Sequence, residues 1–145
     1  MDKIEHASAI DLLAIRLAKA HRHDLEKRLK RAKTGLTLLP YTVLKLVSSG
    51  YETLTDLARE MFVEPPTLVA AVETLAKKGY LQRHRSKKDR RKVALTITAK
   101  GREALHKVPH VHNTDRLLKA MAKLGAAKSG KLADLLEELY SKLNK

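Results

Sequence analysis

The chain has 145 residues and carries 30 Lys and Arg against 16 Asp and Glu, a formal net charge of +14. That length supports one domain with a moderate core, and that charge implies a polyanionic partner, either nucleic acid or an anionic membrane surface. Apolar residues make up 43% but aromatics only 3%, so the core is aliphatic and suits packed helices better than a β-sandwich. The absence of cysteine excludes disulfides and thiol-based redox sensing. No apolar run approaches the ~20 residues that a membrane span requires. Asp2, Glu5 and Asp11 interrupt the apolar residues of the N-terminus, which is wrong for a signal peptide. The expected location is the cytoplasm.

Ile10, Leu13, Leu17, His21, Leu25 and Leu29 recur at helical spacing and predict one long helix over about 4–33, with Gly35 stopping it. Thr37 is the expected cap of a second helix near 38–48, with Pro40 in its first turn and Val43, Leu44 and Val47 inward. Ser48-Ser49-Gly50 reads as a turn. Thr53-Leu54-Thr55-Asp56 fits a capping box and opens a short helix to about Met61, packed through Leu54, Leu57 and Ala58. Phe62-Val63-Glu64 is a tight connection. Pro65 then suits the first position of a helix near 65–78, buried through Leu68, Val72 and Leu75 and ended by Gly79. Two short helices joined by three residues form a helix-turn-helix, whose second helix is the recognition helix.

Two strands follow, Tyr80–Arg85 and Val93–Thr98. In the second, Val93, Leu95 and Ile97 alternate with Ala94, Thr96 and Thr98, the period of a half-buried strand. Between them runs R-H-R-S-K-K-D-R-R-K, Arg83 to Lys92, with seven Lys/Arg and one Asp. A basic hairpin just behind a helix-turn-helix is a winged helix, with its wing against phosphate. Thr98 is the expected cap of a helix over about 99–124 with a kink at Pro109, and Gly125 breaks it from a last helix near 127–143. Leu132, Leu135, Leu136, Leu139 and Leu143 stripe that last helix.

The expected fold class is mainly α with a small β-hairpin wing. Residues 1–145 read as a single domain, with a winged helix-turn-helix at 36–98 and dimerisation helices at 1–35 and 99–145. The terminal leucine stripes exceed what the small module can cover. An exposed apolar stripe on a soluble protein finds a partner, and the simplest is a second copy.

The order of elements and several motifs resemble the MarR family of winged-helix transcriptional regulators. The matching runs are L-T-D-L-A-R-E-M, V-E-P-P-T-L-V-A-A-V-E-T-L and K-K-G-Y-L-Q-R, followed by K-D-R-R-K-V-A-L-T-I-T-A-K-G-R. The last run is the most specific, and the strong resemblance covers about 37–105. It implies a homodimer on a pseudo-palindromic double-stranded DNA operator, usually a repressor. It also assigns roles: Arg91 enters the minor groove, Asp89 braces the wing arginines through an ion pair, and Arg90 meets phosphate or groove wall. Arg83, Arg85, Lys87, Lys88 and Lys92 complete the expected wing contacts.

In the recognition helix, family members commonly carry an Arg where this chain has Ala70. Thr67, Ala70, Ala71 and Thr74 are the expected groove-facing residues, with Lys77 and Lys78 toward phosphate. Thr67 and Thr74 can bond base edges and the alanines can touch thymine methyls, but no bidentate Arg–guanine contact is available from that face. Weaker base readout than usual is expected, with more affinity from phosphate and DNA shape. That motivates a second reading, a low-specificity architectural DNA-binding protein.

The basic residues of the first helix, Arg16, Lys19, Arg22, Lys27, Arg28, Lys30, Arg31 and Lys33, read either as an extended DNA footprint or as a solvated face. His106, His110, His112 and Asp115 lie close in sequence, and the resemblance would bring His21, His23 and Asp24 near them. Zinc-sensing relatives carry an acidic residue and a His where this chain has Tyr41 and Thr42, and a Cys that it lacks, so surface or interface histidines and no metal or other cofactor are expected. Many relatives bind small amphipathic ligands in a crevice between the dimer helices and the winged helix, which here would be lined by Leu13, Leu17, Leu38, Tyr41 and Leu44. Such an effector is permitted by these residues rather than supported. No phosphate-binding Gly loop, HExxH or plausible Ser–His–Asp set is present, so no enzyme is expected.

Overall fold

The computed structural model describes residues 2–143. Its elements in chain order are α1 (Lys3–Ala32), α2 (Leu38–Ser48), α3 (Leu54–Met61), α4 (Pro65–Lys77), β1 (Leu81–Arg85), β2 (Val93–Ile97), α5 (Ala99–Lys107), α6 (Arg116–Leu124) and α7 (Ala126–Leu143). The strands form an antiparallel hairpin, with Leu81 opposite Ile97 and Arg85 opposite Val93. The chain is thus mainly helical with a β-hairpin wing, as the hydrophobic pattern predicts. It divides into two compact units. One is Glu26–Pro109; the other comprises the residues up to Leu25 and those from His110 onward. The unit that carries the winged helix therefore takes in the end of α1 and all of α5, beyond residues 36–98.

Within Glu26–Pro109 the core is aliphatic. Val43, Leu44 and Val47 of α2, Leu57 and Ala58 of α3, and Leu68, Val72 and Leu75 of α4 are all buried, as are Leu81, Leu95 and Ala104. Fully burying each large side chain contributes about 1.5–3 kcal/mol. Tyr41 is buried with them, and its hydroxyl donates to the Val108 carbonyl at 2.7 Å. Burial raises the Tyr41 phenol above its ordinary value, against a smaller opposing pull from Arg28.

Several helix ends follow their signals. The Thr53 side chain accepts the Asp56 amide at 3.1 Å, and the Thr98 side chain accepts the Gly101 amide at 3.0 Å. Past α4, Tyr80 N–H donates to Leu75 O at 2.9 Å and Gly79 N–H to Ala76 O at 3.0 Å, with Gly79 left-handed at φ 75°. That paired arrangement consumes carbonyls that the helix end leaves open. Other ends differ from expectation. Thr37 precedes α2, but its side chain makes no capping bond. Lys33, at φ 53°, rather than Gly35 takes the left-handed position that ends α1. The next carbonyl, Thr34 O, is held by the Tyr80 hydroxyl at 2.9 Å, which fixes the path of this segment.

Two further expectations fail, the first for a tertiary reason and the second for a local one. In β2 the alternation is broken, because Val93 is exposed while Ala94 and Leu95 are both buried. Residues 52–53 run along the free edge of β2. Leu95 N–H donates to Glu52 O at 2.6 Å and Thr53 bridges Ala94, so that end of the strand is covered on its second side. The single helix expected over 99–124 is two helices, α5 and α6, separated by residues 108–115. Val108 precedes Pro109 and sits at φ −128°, ψ 84°, the extended conformation that proline imposes on its predecessor. The buried Asp115 then closes a turn before α6, accepting His112 N–H at 2.9 Å and donating its own N–H to His112 O at 2.9 Å.

In the other unit, α1 as far as Leu25 accompanies α6 and α7. Arg116 of α6 donates its amide to Asp24 Oδ2 at 2.9 Å and its Nε to Asp24 Oδ1 at 3.2 Å. The amide bond first, and the guanidinium next to it, hold the Asp24 carboxyl below its ordinary value. Ile10, Leu13 and Leu17 of α1 and Leu132, Leu135, Leu136, Leu139 and Leu143 of α7 are all exposed in the single chain. Among the described residues, no helix is long and apolar enough to cross a membrane.

Gly101 gives a test of the hairpin junction. A methyl group added there would strike the Tyr80 carbonyl oxygen and come within 2.8 Å of Ile97 Cγ1. An unobstructed Gly→Ala in a helix gains up to about 1 kcal/mol. Here the collision should reverse the sign, so Gly101→Ala should lower stability by about 1–3 kcal/mol. The check is the urea midpoint at unchanged slope; a raised midpoint would show that the junction yields.

Candidate nucleic-acid interface

The wing tip is built around one short polar residue. Ser86 is buried at the end of β1, and its hydroxyl accepts the amides of Lys88 at 3.2 Å and Asp89 at 3.3 Å. Ser86 N–H donates to Lys92 O at 3.0 Å, and Lys92 N–H to Asp89 O at 3.0 Å. The backbone of a loop crowded with cations is thus closed on itself, and the side chains of Lys87, Lys88, Arg90, Arg91 and Lys92 are turned outward and exposed. Arg83 and Arg85 on β1 are exposed as well, and Arg85 Nη1 donates to Arg90 O at 3.1 Å.

Asp89 and Arg91 form the pair that the resemblance implies. Asp89 Oδ1 accepts the Arg91 amide at 3.1 Å and Arg91 Nε at 3.2 Å. The Arg91 side chain is still 91% exposed, so it is oriented without being withdrawn from solvent. The hydrogen bond from the Arg91 side chain, then that from its amide, holds the Asp89 carboxyl below its ordinary value of 3.8. A fork-shaped cation held at a hairpin tip suits the narrow minor groove, where negative potential is concentrated.

On α4 the exposed face is turned from the expected one. Ala71 is only 5% exposed and packs inward with Leu68, Val72 and Leu75, so it is not a groove-facing residue. Ala sits easily in a tight helix contact, and the four together form the buried stripe. Thr67 and Ala70 are exposed. Thr74 is half-buried, and its hydroxyl donates back to Ala70 O at 3.0 Å. Directly opposite the buried stripe lie Pro66, Ala70, Glu73 and Lys77, all exposed. Val69 flanks them, and Phe62, 72% exposed and left-handed at φ 54°, stands at the turn before the helix. Pro66, Val69 and Glu73 were legible in the helical period once the inward stripe was centred on Leu68 and Leu75.

The remaining candidates are dispersed. Arg16, Lys19, Arg22, Lys27, Lys30, Arg31 and Lys33 of the first helix region are exposed, while Arg28 donates to Pro109 O. His21 is buried with its ring 4.9 Å from that of His110 and its Nδ1 3.8 Å from Asp115 Oδ2. Among the described residues no group of three or more His, Cys, Asp or Glu is arranged to hold a metal ion. His106 is exposed on α5, and His112 Nδ1 lies 2.9 Å from Thr114 Oγ1. Of the residues expected to line a ligand crevice, Leu13 and Leu17 are exposed on α1. Tyr41 and Leu44 are sealed in the core, because α2 is packed against α4, β2 and α5. Leu38 instead joins Glu26, Leu29, Lys30, Leu36 and Thr37 around a hollow of about 250 Å³.

Residues 26–108 match the family model described as the transcriptional regulator SarA/Rot. The HTH-type transcriptional regulator SarZ of Staphylococcus haemolyticus is 33% identical over 70 residues, which are 48% of this chain and 48% of that protein. The match thus spans about half the length of that curated relative. Among solved structures, the transcriptional regulator BldR from Sulfolobus solfataricus is similar with a TM-score of 0.72 at 27% identity, over 99% of each chain. A mutant of MarR from E. coli complexed with operator DNA has the same fold, with a TM-score of 0.71 at 19% identity over 96% of this chain and 99% of that one.

The Asp89–Arg91 pair has a pH signature. A carboxyl whose folded pKa is depressed holds its partner at neutral pH and releases it only as pH falls through that lowered value. In NMR titrations the Asp89 carboxyl should therefore have a midpoint below 3.8, with the Arg91 Nε–H signal moving in step. Arg91→Ala should return the midpoint upward. A normal midpoint in the parent protein would show that the wing tip is not organised by this pair.

Proposed function

The chain belongs to the SarA/Rot family of transcriptional regulators, built on the MarR-type winged helix, and from that premise we propose that this DNA-binding regulator acts as a cytoplasmic homodimer. It represses transcription from a pseudo-palindromic operator and performs no catalysis. The observation that carries the reading is the Arg91 guanidinium, oriented by Asp89 yet fully presented, in the same compact unit as the exposed face of α4. In this reading α4 lies in the major groove through Thr67, Ala70 and Thr74, with Lys77 toward phosphate. Arg91 enters the minor groove. Arg83, Arg85, Lys87, Lys88, Arg90 and Lys92 neutralise phosphates on either side of it, and Asp89 acts only through the arginine that it holds.

The two terminal segments supply the dimer. Their leucines are exposed in the single chain, and two copies that share this surface would bury them in one step. The hollow beside Leu36 and Leu38 has an apolar floor with Glu26 and Lys30 on its rim, and it is the place proposed for an amphipathic effector.

The bare α4 face, with no Arg and only one central polar group, also suits the architectural reading. Specificity separates the two. A regulator should prefer its site over random DNA by ~10³ or more, whereas an architectural protein would show nearly equal affinities that collapse together as salt rises.

Arg91→Ala should weaken operator binding by about 1–3 kcal/mol in fluorescence anisotropy; an unchanged affinity would remove Arg91 from the groove. Footprinting should give two half-sites about one helical turn apart, which a footprint lacking dyad symmetry would contradict. Light scattering should report a dimer for the parent chain and a monomer for Leu135→Glu/Leu139→Glu, and a parent monomer would refute the role of the terminal helices.

A further inference from the structure

On the line of α4 directly opposite its buried stripe, with Thr67 to one side of it, one group can read a base, and it is acidic. Pro66 and Ala70 offer no side-chain donor or acceptor. Lys77 lies in the last turn, where phosphate is the nearer partner. Between them stands Glu73, exposed, opposite the buried stripe of Leu68, Ala71, Val72 and Leu75. Lys77 is four residues along, the spacing at which a Glu–Lys pair forms readily, yet Glu73 makes no hydrogen bond or ion pair among the described residues. Its carboxylate is left available at the centre of the face.

A carboxylate there opposes everything else about this surface. The chain carries a net +14, and its wing is a concentration of cations suited to phosphate. An unpaired anion on the recognition face weakens binding to any duplex unless it meets a donor. An ionised carboxylate only accepts hydrogen bonds. In the major groove the donors are the cytosine N4 amino and the adenine N6 amino groups. Adenine sets its N7 acceptor beside that amino group, on the same base edge, and the lone pair repels a carboxylate. Cytosine presents its amino group with no acceptor of its own alongside.

We propose that Glu73 is the specificity-determining residue of α4: it accepts a hydrogen bond from a cytosine N4 amino group in each half-site and repels the acceptor edges of guanine and thymine. It thereby selects partly by penalising wrong sequences. The inference rests on the placement of α4 in the major groove proposed above, and it assigns the sequence discrimination that the missing arginine at position 70 leaves unaccounted for.

The test uses the full-length protein. A preferred duplex is selected from a randomised library, and every base pair is then substituted singly and titrated by anisotropy against the parent protein, Glu73→Ala and Glu73→Gln. The side chain is exposed, and circular dichroism verifies that each variant is folded. The parent protein should lose roughly tenfold or more in affinity when one C·G pair per half-site is replaced. Glu73→Ala should abolish that loss while binding random duplex more tightly. Glu73→Gln should move the preference toward adenine, whose N6 and N7 a glutamine amide can pair together. If Glu73→Ala tightens all duplexes by one factor and keeps the parent's base preferences, Glu73 is a solvated charge and the proposal fails, although α4 still reads the groove. If the parent shows no base preference at any position, the groove placement of α4 fails first, and the assignment of Glu73 with it.

Discussion

Seven like charges in a ten-residue run of the hairpin repel one another, and the hairpin stays attached in one orientation because its base is closed around Tyr80 and Thr98. Thr98 N–H donates to Tyr80 O at 3.1 Å, and its hydroxyl donates to Gly79 O at 2.6 Å while accepting the Gly101 amide at 3.0 Å. One threonine thereby ties the end of α4 and the end of β2 to the first turn of α5. Tyr80 extends the junction to the segment after α1 through its hydroxyl on Thr34 O, and Lys100 Nζ stands 5.3 Å from its ring centre. Gly101 is required there by space rather than by backbone conformation, since any Cβ would occupy the position of the Tyr80 carbonyl. The wing is therefore tied to α4 and α5 through one hydrogen-bonded junction.

On the proposed reading, affinity and selectivity fall to different parts of the surface. The wing and the exposed lysines carry charge that any phosphate backbone satisfies, a sequence-independent attraction sensitive to salt. Within the wing, Ser86 and Asp89 convert a repelling cluster into an ordered one. The serine closes the backbone turn and the aspartate orients a single guanidinium. The outer face of α4 is sparse by comparison, with Glu73 and Lys77 its charged groups, so on the proposed reading the few groups that it offers to base edges have large consequences for which sequences are tolerated.

The terminal segments follow a separate logic. Their leucines repeat at helical spacing, but in the single chain they face solvent. Asp115 and Arg116 show how the path into α6 is set: a buried carboxylate closes the preceding turn, and the next residue grips Asp24 of α1 through both amide and guanidinium. These polar contacts locate α6 in its own unit before any partner is present. The apolar surface is thus displayed on a framework already ordered.

Much of this was legible in the residues themselves. The order of elements, the caps at Thr53 and Thr98, the left-handed Gly79 and the basic hairpin follow from local rules, in which a residue acts on neighbours a few positions away, whereas the Asp89–Arg91 brace was implied by the family resemblance. The departures at Ala94 and Ala71 involve partners outside their own elements. The break at Pro109 had a local cause, but its depth depended on Asp115 closing the following turn. Ala94 is buried because residues 52–53 run beside it, and Ala71 because it lies within the inward stripe of Leu68, Val72 and Leu75. That rotation brought Glu73 rather than Thr74 to the centre of the exposed face. Sequence by itself determined which segments are helical, where most of them begin, and where the charge is concentrated, because those properties arise from spacing and near-neighbour hydrogen bonds. Only the tertiary structure decided on which side the small residues fall, because Ala71 and Ala94 are tolerated on either side and are assigned to one by what packs against them.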